Sequence, residues 1–314
     1  MAHIEAVPLI AAAKSDVAQN ARLMRQATYA AVAVAIMLIV IKTIAVYLTG
    51  SVAMLGTLFD SLLDGAASLL NLVAVRHSLT PADDEHRFGH GKAEALAGMG
   101  QSIFICASAG FIAYESIIRF LDPAPLGNSL PGIGVTVAAI AITLVLVAFQ
   151  RRVVARTGSI AIEADSIHYR GDLLMNLSAL GALFLSGILG LHWADPLGGL
   201  LIAGLIVFSA IQIALGAYDQ LMDRELTDDE RARIATIALG HPEVVGVHDL
   251  RTRMAGTRAF IQFHLELDRA ISLMKAHLIS DEVEARILEA FPAAEVIIHQ
   301  DPAGLEDVTR SERI

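Results

Sequence analysis

The 314-residue sequence is 55% hydrophobic and 18% charged, with a mean hydropathy of +0.58. Soluble globular proteins carry about 25% charged residues, so the composition argues against an ordinary cytosolic enzyme. The net charge of −10 argues against a general nucleic-acid binder, and a single cysteine, Cys106, excludes an intrachain disulfide framework.

The first 27 residues contain Lys14, Asp16, Arg22 and Arg25 and lack the ordered basic start, apolar run and small-residue cleavage site of a secretory signal. They are expected to form a cytoplasmic amino-terminal segment, followed by a membrane domain over 28–218, a soluble domain over 219–304 and a tail over 305–314. Crossing a bilayer by helix takes about 20 mainly apolar residues. Six stretches qualify: 28–49, 52–76, 94–120, 131–149, 160–191 and 196–217. The first span is expected to turn at Thr49-Gly50-Ser51, the third to end at Asp122-Pro123, and the fifth to end before Asp195-Pro196. Lys14, Arg22 and Arg25 precede the first span, Arg76, Arg87 and Lys92 join spans two and three, and Arg151, Arg152 and Arg156 join spans four and five. Only Arg119 borders a loop on the other side, so both termini are expected to be cytoplasmic.

The second span holds Asp60 and Asp64, and the start of the fifth holds His168 and Asp172. A spacing of four puts each pair on one helix face. A carboxylate deep in a span costs at least about 2.5–3.5 kcal/mol unless it is paired. These are therefore either protonated or paired structural acids, or a cation site. Three carboxylates and one imidazole suit Zn²⁺ or another divalent first-row ion. Docking the two pairs at one depth requires the fifth helix to begin near residue 160. Asp165 and Arg170 read as flanking or supporting residues, and Lys42 as a cation that snorkels to the interface.

Between spans two and three, Asp83, His86 and His90 have offsets of three and four, which suits either a solvated acidic loop or a metal site. Beyond residue 218 the sequence holds 11 basic and 19 acidic residues, a net of −8 out of −10. There the pattern predicts a helix over 227–240 with Thr227 as N-cap, strands over 245–254 and 258–267, a helix over 272–291 and a strand over 294–300. Ile261, Phe263, Leu265 and Leu267 alternate with Gln262, His264 and Glu266, so one face of that strand is buried. His248, His264, His299 and Asp301 read either as scattered surface groups or as one metal site.

The two four-residue pairs and the stretch PADDEHRFGHGKAEALA resemble the cation diffusion facilitator family across all six spans and the soluble domain. That resemblance implies a six-helix all-α membrane bundle with a ferredoxin-like, metallochaperone-like α+β cytoplasmic domain. It implies a homodimer in a bacterial-type inner membrane, exchanging Zn²⁺ for protons, with Asp60, Asp64, His168 and Asp172 as transport site. It further implies a second zinc site at Asp83, His86 and His90, and a binuclear one from His248, His264, His277, His299 and Asp301, with Gln300 as a polar neighbour. Lys92 and Asp223 correspond to an inter-helix charge pair.

No covalent chemistry is needed, so no enzyme activity is expected. An Mn²⁺- or Fe²⁺-selective transporter and a membrane metal sensor or scaffold are the alternatives. Histidine at 168 favours zinc over manganese, and the four-ligand membrane set exceeds what a sensor needs. No H-E-x-x-H pair occurs in a span, which ranks an intramembrane metalloprotease last.

Overall fold

The computed structural model describes residues 2–49, 52–121, 130–189 and 193–304. The turn at Gly50-Ser51, the stop at Asp122-Pro123 and the tail over 305–314 lie outside these residues. Six long helices come first: α1 (Ala2–Thr49), α2 (Val52–Ser78), α3 (Lys92–Leu121), α4 (Leu130–Thr157), α5 (Ile160–Leu189) and α6 (Ala194–Leu221). Five of them, all but α5, are long and apolar enough to cross a membrane. Helix α5 has the length, 30 residues, but its first half carries Glu163, Asp165, His168, Arg170 and Asp172. It begins at Ile160, as docking of the two ligand pairs requires. Contacts divide the chain into one unit of Arg22–Tyr218 and a second built from Asp219 onward with the stretch through Ala21.

In the helical unit, Met24 and Ala27 of α1 pack with Val75 of α2, Val153 of α4, and Ala161 and Ile162 of α5. Ile105 and Ala109 of α3 pack with Ile206 and Ala210 of α6. Small residues allow this approach: a Cβ on Gly98 of α3 would lie 2.7 Å from Ile160 Cγ2 of α5. Outward-facing Leu70, Val145 and Phe208 are exposed, as expected where lipid is the solvent. Helices α4 and α5 are joined through Gly158, at φ 66°, and Ser159, whose Oγ accepts from the Ile162 N–H. Glu94 of α3 reaches the same helix start and accepts from Ser159 and from the backbone N–H groups of Ile160 and Ala161. These contacts hold α5 by its amino end, two turns before His168.

The second unit follows the predicted order: α7 (Asp228–Leu239), β1 (Val244–Ala255), β2 (Arg258–Leu267), α8 (Leu273–Ala290) and β3 (Glu295–Pro302). Thr227 caps α7 in a reciprocal capping box with Glu230. The sheet order is β1-β2-β3, with β1–β2 antiparallel and β2–β3 parallel across α8. Ile261, Phe263, Leu265 and Leu267 are buried against Ile234 and Ala238 of α7 and Ala276, Ile279, Val283 and Ile287 of α8. The helices thus cover one sheet face, and the polar positions of β2 project from the other.

Candidate functional site

Three clusters of histidine and carboxylate emerge among the described residues, each with ligand atoms within 4.8 Å of one another: Asp64, His168 and Asp172; Asp83, His86 and His90; and His248, His264 and Asp301.

In the first, His168 Nε2 lies 2.9 Å from Asp64 Oδ1 of α2 and 3.9 Å from Asp172 Oδ2 one turn further along α5. Asp60 sits one turn before Asp64 on α2, exposed and outside the three-residue group. Around them lies a polar framework. Asp165, buried, accepts from Gln101 Nε2 of α3 (3.2 Å), Gln150 Nε2 of α4 (2.6 Å) and Ser68 Oγ of α2 (3.4 Å). Ser68 in turn bonds Tyr169 Oη, which donates to the Ala31 carbonyl of α1. Five helices therefore converge on the residues beside His168, which fixes the imidazole's position. Asp165 is a supporting residue, as the sequence suggests, whereas Arg170 is exposed.

Lys42 departs from expectation. Its ammonium does not snorkel outward; it donates to the Thr57 carbonyl (2.9 Å) and to Ser61 Oγ (2.6 Å) of α2. It lies within electrostatic reach of Asp60, Asp64 and Asp172. Depth along α1 alone suggests snorkelling, but a neighbouring helix supplies acceptors within the span.

The second cluster occupies the loop between α2 and α3. Asp83 Oδ1 accepts from the backbone N–H groups of His86 (2.6 Å) and Glu85 (3.0 Å). The His86 N–H hydrogen bond, with help from the nearby imidazoles, holds the Asp83 carboxyl below its ordinary range, so it stays ionised as a ligand must. Gly89, at φ 77°, turns the chain so that His90 Nε2 returns to 3.4 Å from Asp83 Oδ2, while His86 Nδ1 lies 3.4 Å from Oδ1.

Strand register builds the third. His248 on β1 lies opposite His264 on β2, and His264 opposite His299 on β3, so three imidazoles form a row across the sheet. Their neighbouring ring centroids are 5.0 and 4.5 Å apart. Asp301, two residues beyond His299 and on the same face, receives His264 Nδ1 at 2.6 Å and faces His299 Nε2 at 3.2 Å and His248 Nε2 at 3.4 Å. Burial pushes its carboxyl up, but the His264 hydrogen bond and the three imidazoles outweigh that and hold it below the usual range. Two carboxylates that sequence reasoning passed over join the margin. Glu266 Oε1 approaches His248 Nδ1 at 2.9 Å, and Asp249 Oδ2 approaches His264 Nε2 at 3.8 Å. Asp249 reaches there because a bulge between His248 and Arg251 places it at φ 48°, which alternation alone does not reveal. The donor set, imidazole and carboxylate without thiolate, fits zinc.

Other expected residues lie outside these three clusters. His277 is exposed on α8, 3.6 Å from Asp281, and outside the third cluster. Gln300 donates to Ser280 Oγ of α8. Asp223 pairs with Arg253 at 3.2 Å in the second unit, and Lys92 opens α3 in the first.

Residues 28–222 match the family described as the cation efflux transmembrane domain, and residues 226–303 match the cytoplasmic domain of cation efflux proteins. The chain is 50% identical over 284 residues to the cation-efflux pump FieF of Cronobacter sakazakii, covering 90% of this chain and 94% of that one. It is 49% identical to FieF of Salmonella arizonae over the same shares. Two solved chains described under the name CzrB, one in its zinc form, are 36% identical but cover 27% and 25% of this chain, with TM-scores of 0.26 and 0.25.

Proposed function

The chain belongs to the cation efflux family and is a multi-pass membrane transporter of divalent metal cations, and we propose that it exports Zn²⁺ in exchange for protons, by alternating access, as a homodimer. One observation carries the exchange. His168 Nε2 and Asp64 Oδ1, the atoms that would face an ion, lie 2.9 Å apart, within hydrogen-bond range. That hydrogen bond needs a proton between them, whereas a metal needs the bare imidazole lone pair and the free carboxylate. Proton and cation therefore compete for one place.

Facing inward, Asp60, Asp64, His168 and Asp172 release protons as they take the cation from the cytoplasm. Facing outward, His168 and the carboxylates take protons again, and the cation leaves. Imidazole suits both halves because its reference pKa is about 6.5. Excess Lys and Arg in the short flanks around spans one to five supports cytoplasmic termini. His248, His264, His299 and Asp301 fit a zinc ion that the cytoplasmic unit would hold, and the net charge of −8 beyond residue 218 gives that unit a use for cations when two copies approach.

Purified protein in vesicles with an internal zinc dye and an imposed pH gradient tests the reading. Wild type accumulates dye signal that collapses with the gradient, and Asp64→Ala loses it. Equal flux from both proteins overturns the proposal. Zn²⁺, Cd²⁺, Fe²⁺ and Mn²⁺ run side by side assign the ion.

A further inference from the structure

Helix α5 is the long helix without spanning hydropathy, and its charged side chains lie on two opposite faces. His168, Asp165 and Asp172 belong to the transport cluster and its polar framework. Glu163 and Arg170 share the other face with Leu174 and Leu177, at offsets of seven, four and three, and all four are exposed. On its remaining sides α5 is packed. The Ala161 carbonyl accepts from Asn71 of α2, Tyr169 packs with Leu146 and Val147 of α4, and a Cβ on Gly171 would lie 2.9 Å from Ile206 Cδ1 of α6. Arg170 lies ten residues from the start of α5, about 15 Å along its axis, in a hydrocarbon layer about 30 Å thick. Snorkelling serves cations near helix ends, and Arg170 is well inside. Glu163 stands about two turns nearer that end, and neither residue forms an ion pair among the described residues. Ionisable side chains within a span face a protein interior or a water-filled cavity, because lipid does not solvate them. The exposed side chains well inside the other helices are apolar, as with Ile103 of α3, Leu144 and Val145 of α4, and Leu205 and Phe208 of α6.

We infer that the amino-terminal half of this α5 face, from Glu163 to Arg170, lines a water-filled cleft between α4 and α6, and that the face from Leu174 onward meets lipid. The cleft opens at the end of α5 where Ile160 lies, the side that the proposed topology makes cytoplasmic. Two residues apart, His168 and Arg170 are about 200° apart around the helix axis and at nearly one depth. A single helix therefore separates the cleft water from the imidazole of the transport cluster. The solution reaches the depth of the site without entering it, and the higher dielectric behind α5 eases the holding of charge in front of it.

The test uses the full-length protein in lipid nanodiscs. Cys106→Ala removes the single cysteine, and Glu163, Arg170, Leu174 and Leu177 are then replaced by cysteine one at a time. A charged, membrane-impermeant methanethiosulfonate is added, and mass spectrometry follows the labelled fraction with time. Glu163→Cys and Arg170→Cys are expected to react at least about tenfold faster than Leu174→Cys and Leu177→Cys, because the reactive thiolate forms in water and not in lipid. A rate for Arg170→Cys no faster than that for Leu174→Cys overturns the cleft. A disulfide between two copies at position 170 assigns the face to a second copy and overturns it too. Should Arg170→Cys fail to fold, the unsubstituted protein decides: a water-soluble arginine reagent modifies Arg170 where water covers it and spares it where lipid does.

Discussion

Lys42 lies within electrostatic reach of three carboxylates and is tethered to Thr57 and Ser61 of α2. A fixed positive charge opposes an incoming cation, yet it also prevents three acids from holding that cation too tightly to let go. At an effective dielectric near 20 a unit charge several ångström away is worth about 1–3 kcal/mol. Lys42→Met is therefore expected to lower the zinc KM by about tenfold or more and to slow turnover, measured as dye-reported flux at graded zinc. Unchanged KM and rate would assign Lys42 to helix packing alone. Asp165 offers a contrast, because its donors Gln101, Gln150 and Ser68 are all neutral. Asp165→Leu orphans two buried amides, Gln101 Nε2 and Gln150 Nε2, each costing about 1–3 kcal/mol, while Ser68 keeps Tyr169 Oη and Asp165→Asn keeps one acceptor. Thermal unfolding in detergent is expected to rank them wild type, then Asn, then Leu.

Helix α3 separates close packing from mere composition, since two of its glycines have opposite surroundings. A Cβ at Gly98 would meet Ile160 Cγ2 at 2.7 Å, but one at Gly100 would meet nothing within 4 Å. Gly98→Ala must push α3 from the start of α5, at a cost of about 1–3 kcal/mol for overpacking, and should slow flux by displacing His168. Gly100→Ala meets no obstacle and adds helix propensity of about 0.5–1 kcal/mol. Flux and unfolding temperature measured on both variants check the pair. Sequence alone cannot distinguish these glycines, because the difference lies in a partner helix. The same limit explains Lys42 and the row of histidines. Local signals were legible: the Thr227 cap, the alternation of β2, and the pairs Asp60/Asp64 and His168/Asp172. Strand register was not, so His248, His264 and His299 could be recognised as candidates but not aligned. Asp249 was missed because a bulge brings it in, and a bulge has no periodic signature.

Across the whole molecule, charge is divided as sharply as hydropathy: the stretch beyond residue 218 holds −8 of the net −10. Acidic crowding of that kind destabilises a compact unit through self-repulsion, and α8 shows how it is managed. Glu282 approaches His241 Nε2 at 3.1 Å, and Asp281 lies 3.6 Å from His277. Glu284, on the same helix, is pushed above the ordinary glutamate range by burial and by the neighbouring charge of Asp281. A raised pKa means that the folded state holds the proton more tightly than the unfolded chain does. Its contribution to stability is therefore greatest below the ordinary glutamate value and falls as pH rises through the raised one. At neutral pH the ionised Glu284 works against the fold, and Glu284→Gln removes that penalty. Hydrogen exchange on the full-length protein localises the effect to α8. Amide protection there is expected to rise by roughly two- to fivefold at pH 7, a small gain because solvent screens a half-exposed charge. At pH 4 the variant and wild type should converge, since Glu284 is then protonated in both folded and unfolded chains for most of the time. A gain that persists unchanged at pH 4 would assign the effect to side-chain packing, and the acidic unit's stability would then owe nothing to this proton.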